Sequence, residues 1–462
     1  MAEGGVGAVG PSTVLCAKAE MTTTSPHLVR LREEDHHGRG RRQKRMAKAF
    51  CLLIVSTLGA AVLTFAIFLP AQSPSPSPSS GTRHALIFRH CVRSTSTSIK
   101  NVVGAFGNAA DYTDLPLPSW GVPPKWCTPG GIDILQNTGV HLRSLIGDSV
   151  TRLRVVSDTS QRDADTSLAV AAGFCAAALP TCATVSYDPL LFSASDPDLG
   201  IPPLCNEALS DAQQAAAVQQ RLASIPTPTS ITTATALLQS LIGVGAAGNA
   251  SSWAPTGVTS DGKLTGASNV LKFFSQAILY ALASGIDYPL HRAPTSEEVY
   301  QLIAWQHWHR SVEKMTSLYA AANALLLRAA MDAILPPDGT ASEPASTATL
   351  YVGHDGNLDG VAMLLGLLES GWAAPPYLSH GPLFPTPPGS ALHLSADGAT
   401  VSAHYLYPVF AAAGGASVNA SGVLRASPVL FNESVRAFRA RVSAALDAFE
   451  GARACFDAAG RR

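Results

Sequence analysis

The apolar and polar positions divide the chain into four stretches. Residues 1–48 are Gly-, Thr- and Arg-rich, lack periodic apolar positions and read as a disordered cytoplasmic basic tail. Residues 49–69, AFCLLIVSTLGAAVLTFAIFL, are 21 uncharged positions. A helix of that length crosses a ~30 Å hydrocarbon core. Residues 70–81 include the Pro/Ser run AQSPSPSPSS, which reads as an extended, semi-rigid linker. From residue 82 the pattern alternates between short apolar runs and helical stretches. His84–Phe88, Arg154–Val156 and Thr349–Val352 read as strands, the last two followed by helices over about 166–178 and 358–369. Strand–loop–helix units predict an α/β domain with parallel strands. Residues 205–295 carry helical patterns (212–224, 232–242, 269–283) without clear strands. They read as a mostly helical insertion between core segments 82–204 and 296–462. A long helical stretch, 297–335, leads back to the sheet. No internal repeat is visible.

Composition changes this picture in two ways. With 462 residues, 47% of them hydrophobic, the chain is long enough for two or three domains and too apolar to be disordered throughout. The 32 Lys and Arg balance 33 Asp and Glu, so no global basic excess points to nucleic acid. The charge is unevenly placed, however. Arg30, Arg32, Arg39, Arg41, Arg42, Lys44, Arg45 and Lys48 precede the apolar stretch, against Glu33, Glu34 and Asp35. Cations on that flank predict a single-pass membrane protein with its N-terminus cytoplasmic and everything after Pro70 lumenal or extracellular. The length of the run favours an uncleaved signal anchor. The alternative is a cleaved signal peptide beginning at Met46, which gives a secreted product. The sequons Asn249-Ala-Ser, Asn419-Ala-Ser and Asn432-Glu-Ser agree with a secretory, glycosylated domain. So do six cysteines beyond the anchor (Cys91, Cys127, Cys175, Cys182, Cys205, Cys455), compatible with disulfides in any of 15 pairings.

Three polar clusters fall where strands end. Arg89-His90-Cys91-Val92-Arg93 places two guanidiniums and an imidazole at one strand end, where parallel sheets bind ligands. Two guanidiniums near one point need an anion, and a phosphate dianion accepts two charge-assisted bonds from each fork. Surface ion pairs with an ordinary loop histidine would also account for the pattern. Gly353-His354-Asp355-Gly356-Asn357 and Ser157-Asp158-Thr159-Ser160-Gln161-Arg162 lie between a strand and a helix. Turn and capping chemistry explains each of these when taken alone.

Together the first segment resembles the Arg-His-Gly-x-Arg-x-Pro signature of the histidine acid phosphatases, the second their His-Asp motif, and Arg162 their middle arginine. Order and wide spacing agree. Trp126-Cys127-Thr128-Pro129-Gly130-Gly131, Tyr187-Asp188-Pro189-Leu190 and Thr386-Pro387-Pro388-Gly389 resemble segments of the branch containing bacterial phytases and glucose-1-phosphatases. The resemblance covers about residues 84–410. It implies a parallel-sheet, phosphoglycerate-mutase-like domain with an inserted helical domain roofing the pocket. The implied activity is acid phosphomonoester hydrolysis, with His90 as nucleophile forming a phosphohistidine, Asp355 as proton donor, and Arg89, Arg93, Arg162 and His354 holding the phosphoryl oxygens. It implies no cofactor and no metal, a phosphorylated small molecule as partner, and a Cys182–Cys205 disulfide. Cys91 stands where the family has Gly, and a side chain there strains the loop if that Gly needs φ > 0. Thr95 replaces Pro, Gly356 replaces Thr, and Thr97 occupies the place of the phytase lysine, with Lys100 nearby. Two rivals follow: a phytase or inositol polyphosphate phosphatase of narrower range, and a catalytically weak phosphate-binding ectodomain.

Other features carry no chemistry in this reading. Gly243-Val244-Gly245-Ala246-Ala247-Gly248 follows a helical segment, not a strand, and reads as a loop rather than a dinucleotide site. His307 and His309 sit at i, i+2 and face apart, so they form no metal pair. His84 reads as a strand start. Cys91, if reduced, reads as a small buried hydrophobe.

Overall fold

The structure, a computed structural model, describes residues 81–102, 105–147, 149–176, 182–193, 210–248, 253–337, 346–367, 386–410, 420–449 and 451–459. The predicted tail, the anchor and the linker up to residue 80 lie outside these residues, as do Asn249, Asn419 and Cys205. Among the described residues no helix is long and apolar enough to cross a membrane.

The strands are β1 (Arg83–Arg89), β2 (Ser98–Val102), β3 (Ala105–Asn108), β4 (Arg152–Ser157), β5 (Ala183–Tyr187), β6 (Gly257–Val258), β7 (Leu264–Thr265), β8 (Thr347–Gly353), β9 (Ala391–Ala396), β10 (Thr400–Phe410), β11 (Ala420–Ala426) and β12 (Phe431–Ser434). Eight build one sheet in the order β11-β10-β9-β1-β8-β4-β5, with β12 on β10. The half β1-β8-β4-β5 is parallel, as the sequence pattern predicts. The other half is antiparallel, so the sheet is mixed rather than purely parallel.

The pairing register decides where the chemistry goes. Arg89 lies opposite Gly353, and Val352 opposite Ser157. The three polar clusters therefore leave adjacent central strands at the same edge of the sheet. Both faces are covered, which is why β1 reads as an unbroken apolar run. Ala85 and Ile87 join a core with helices Ala324–Ile334, Asp355–Leu364 and Val435–Ala448. Leu86 and Phe88, pointing the other way, join helices Pro129–Ile146 and Gln161–Cys175. A third core holds helices Asp211–Ser224, Ile231–Ile242 and Ala267–Ser284, together with Leu302, Trp305 and Val312 of Ser296–Lys314.

Three local differences from the sequence pattern have physical causes. The stretch 297–335 is broken into Ser296–Lys314, Ser317–Ala322 and Ala324–Ile334. Thr316 donates its hydroxyl to Gln214 Oε1 at 2.9 Å, and Asn323 Nδ2 donates to the Tyr319 carbonyl at 2.7 Å. Such side-chain bonds compete with the helical ladder. Helix Pro129–Ile146, to which the apolar pattern assigns no element, contains glycines that look like breakers. At Gly139 a Cβ would sit 2.3 Å from the Val170 carbonyl, so the glycine lets this helix lie against Gln161–Cys175. Strands β9 to β12 were masked by polar positions such as His393, Ser395, Ser402 and His404.

The cysteines correct two expectations. Cys91 is bonded to Cys127, and Cys175 to Cys182, so Cys182 does not pair with Cys205. Cys175 and Cys182 are seven residues apart, the first ending helix Gln161–Cys175 and the second just before β5. Cys455 is also disulfide-bonded. Cys91 is not among the residues with positive φ, so its side chain brings no backbone strain. The glycine-rich 243–248 segment follows a helix and docks on the 111–114 turn, with Ala247 N–H donating to Asp111 O at 2.6 Å. It is a packing loop. His84 does more than begin a strand: it is buried, with its Nδ1 3.0 Å from His393 Nε2.

Candidate active site

A cavity of about 420 Å³ opens at the carboxyl edge of β1, β8 and β4. Every site residue singled out from the sequence lines it: Arg89, His90, Arg93, Arg162, His354 and Asp355.

The strand end holds Arg89 rigidly. One of its nitrogens donates to the Thr386 carbonyl and another to Tyr280 Oη at 2.6 Å, while Gly389 N–H donates back to Arg89 O at 3.1 Å. The Thr386–Gly389 turn thus clasps the first arginine. The Trp126–Gly131 segment does the same for the following loop. Ser94 N–H donates to Trp126 O at 2.9 Å, Thr128 N–H to Val92 O at 3.0 Å, and the Cys91–Cys127 disulfide joins the two. Asp188 N–H donates to Ser157 O at 3.0 Å, which ties the Tyr187–Leu190 segment to the end of β4.

His90 is almost fully buried, and its Nδ1 lies 2.9 Å from the Cys91 carbonyl. A carbonyl only accepts, so Nδ1 carries the proton and Nε2 keeps its lone pair. Burial, then the His354, Arg162, Arg89 and Arg93 charges, holds the ring well below the usual imidazole range. His90 is a neutral base at acid pH. Its ring meets His354 edge-on, with centroids 5.5 Å apart.

His354 and Asp355 begin helix Asp355–Leu364. Asn357 fixes the turn: its Oδ1 accepts from His354 N–H at 2.7 Å, while its Nδ2 donates to Phe192 O and Asn323 Oδ1. His354 Nε2 faces Arg162, with Asp163 at 3.4 Å, and its Nδ1 lies 3.7 Å from Asp158. Burial brings His354 down to about 3 and pushes Asp163 up to about 7. Asp158, Asp163 and His354 could together ligate a metal ion, but the cation they face is the Arg162 guanidinium, held beside His354 Nε2.

Asp355 accepts from Lys314 Nζ at 2.6 Å and lies 3.6 Å from Arg89. Despite burial, these cations hold its carboxyl well below the usual range. Lys314 belongs to a cationic wall that the sequence reading did not anticipate. Lys263, Lys272, Arg310 and Lys314 line the cavity together with the arginines. That makes seven cations against the carboxylates Glu313 and Asp355. Arg310 bridges buried Asp359 at 3.0 Å. Two signals could have revealed this wall. Lys272 is a lone charge in the apolar helix NVLKFFSQAILYALA, and residues 306, 310, 313 and 314 form an i, i+3, i+4 stripe. His309 also lines the cavity.

Compared by sequence, the chain matches no family model and no curated protein. Compared by structure, it is similar to Hafnia alvei phytase, apo form, with a TM-score of 0.61 at 19% identity over 82% of this chain and 99% of that one. Citrobacter braakii phytase gives 0.60 at 18% identity, covering 79% and 97%. Klebsiella sp. ASR1 phytase gives 0.57 at 14% identity, covering 81% and 96%.

The fold is a phytase fold. The resemblance to the histidine acid phosphatases is thereby borne out at the level of architecture, over nearly the whole length of these phytases. Within the phytase fold the three ordered polar motifs converge on one cavity.

Proposed function

We propose that the chain is an acid phosphomonoester hydrolase acting through a phosphohistidine on Nε2 of His90. The carrying observation is a buried, neutral histidine with its Nδ1 tied to a carbonyl, set among Arg89, Arg93 and Arg162. The guanidiniums bind the phosphoryl oxygens and offset the charge that repels an incoming nucleophile. Nε2 attacks phosphorus as the ester oxygen leaves with a proton from Asp355. Water then attacks the phosphohistidine, giving its proton to the Asp355 carboxylate, and inorganic phosphate departs. As an ion, Asp355 is ready for the second step and must gain a proton before the first.

The cationic wall favours the phytase or inositol polyphosphate reading over a general phosphatase. Lys263, Lys272, Lys314 and Arg310 line the same cavity as the arginines, at a distance from Thr97 in sequence, and take over the role of the missing lysine. Hafnia alvei phytase, similar in fold, has been solved with myo-inositol hexakis sulphate, a polyanion of this kind. A single-pass topology with the catalytic domain outside the cytosol accords with the basic flank of residues 49–69 and with the disulfides Cys91–Cys127 and Cys175–Cys182.

The test is phosphate release by the full-length protein from inositol hexakisphosphate and glucose 1-phosphate at equal concentration near pH 5. A kcat/KM at least about tenfold higher on the hexakisphosphate, reduced by Lys272→Met, supports the reading. Equal values argue for a general phosphatase, and an inert protein for a phosphate-binding ectodomain.

A further inference from the structure

Asp355 sits among cations on every side. Lys314 and Arg310 face it from Ser296–Lys314, Arg89 from β1, Arg93 from the loop after it and Lys272 from Ala267–Ser284, while adjacent His354 is neutral. Among the described residues Lys314 is the nearer of two ion-pair partners, at 2.6 Å to Oδ1 against 3.6 Å from Arg89 to Oδ2, and its side chain also lines the cavity. Beside that contact lies a residue in which this chain departs from the family pattern. Gly356 stands where the resemblance has Thr, and a Cβ there would meet the Tyr319 ring at 3.2 and 3.4 Å and Lys314 Cδ at 3.9 Å. A side chain there would press on the Tyr319 ring and come into ordinary contact with the Lys314 stem.

We propose that Lys314 is a specificity-determining residue that withholds the general acid, holding the Asp355 carboxylate until a second phosphate of the substrate takes the ammonium. The proposal rests on the phosphatase reading above. It makes protonation of an alkoxide leaving group conditional on a multiply phosphorylated substrate. The proton comes with that substrate, since a phosphomonoester with a second pKa near 6 arrives largely as a monoanion at pH 5. Its P–OH proton passes to Asp355 as the resulting dianion engages Lys314. Asp355 gives the proton to the ester oxygen as the Nε2–P bond forms and the P–O bond breaks. The products are an alcohol, phosphohistidine and the Asp355 carboxylate.

The experiment compares the full-length wild type, Lys314→Met and Lys314→Arg on three probes across pH 3 to 8. p-Nitrophenyl phosphate has a leaving group that departs without an acid. Glycerol 2-phosphate needs one and has a single phosphate. Fructose 1,6-bisphosphate needs one and has two. The alkaline limb of kcat reports the acid in the enzyme–substrate complex. In Lys314→Met the glycerol 2-phosphate limb moves to higher pH by about 1–2 units. The kcat ratio of glycerol 2-phosphate to p-nitrophenyl phosphate rises about tenfold per unit of that shift, and the preference for the bisphosphate over glycerol 2-phosphate falls. Lys314→Arg keeps the limb and the preference of the wild type. Gly356→Thr, which crowds Tyr319 and Lys314 from the other side, moves the limb in the same direction as Lys314→Met. An unmoved limb with an unchanged or lower ratio in Lys314→Met overturns the proposal while leaving the phosphatase reading intact. A wild type inert on all three probes overturns both.

Discussion

Replacing Cys91 and Cys127 together by Ala removes a crosslink that closes a loop of 36 residues directly after the candidate nucleophile. The entropy that this loop denies the unfolded chain amounts to about 4 kcal/mol at 25 °C. Both residues are buried, so the variant also loses packing beneath the site. The effect on chemistry is smaller. Cys91 supplies the carbonyl that fixes the His90 tautomer, and its N–H still donates to Thr166 Oγ1 at 2.9 Å without the disulfide. One loosened hydrogen bond is worth about 1 kcal/mol, or about fivefold in kcat. Urea unfolding of the full-length protein, followed by tryptophan fluorescence, measures the first quantity. p-Nitrophenyl phosphate turnover measures the second. The reasoning fails if the variant unfolds at the wild-type midpoint with an unchanged slope, or if turnover disappears while the fold persists.

Asp359→Ala leaves the buried Arg310 guanidinium without its carboxylate 3.0 Å away. It should destabilise the protein by about 3–5 kcal/mol in the same unfolding assay, whereas a loss below about 1 kcal/mol speaks against a true buried pair. Burial lowers His84 to about 4, and His393 is lowered too. Both stay neutral in the fold after their unfolded counterparts have taken up protons. Their contribution is complete above about pH 6.5 and is lost as pH falls toward 4, about 3 kcal/mol for His84 alone. His84→Leu should therefore flatten the decline in melting temperature between pH 6.5 and 4, and a decline as steep as in the wild type counts against the assignment.

The sequence revealed the sheet's centre better than its rim. β1 and β8 are buried nearly throughout because both faces are covered, β4 is buried in its second half, and the polar segments at their ends mark the cavity. That made Arg89, His90, Arg162, His354 and Asp355 visible as strand-end clusters. β9 and β10 stayed hidden because His393 and His404, opposite each other in the sheet, interrupt their apolar positions. The cationic wall stayed hidden for another reason. Lys263, Lys272, Arg310 and Lys314 come from segments up to 51 residues apart, and only the packing of the helices brings them to one surface. Cys91 and Gly356 read from the sequence as departures that weaken the site. In the structure the first is crosslinked to Cys127, and the second leaves room for the Tyr319 ring.

The central claim is that His90 carries the phosphoryl group. Its most direct test is p-nitrophenyl phosphate hydrolysis by the full-length protein between pH 3 and 8 with a chelator present, beside a His90→Ala variant shown by circular dichroism to be folded. The expected result is acid activity in the wild type that falls by at least about a thousandfold in His90→Ala, with an acid-labile phosphoprotein trapped only in the former. A folded wild type inert at every pH, or a His90→Ala variant that retains its turnover, would contradict the account.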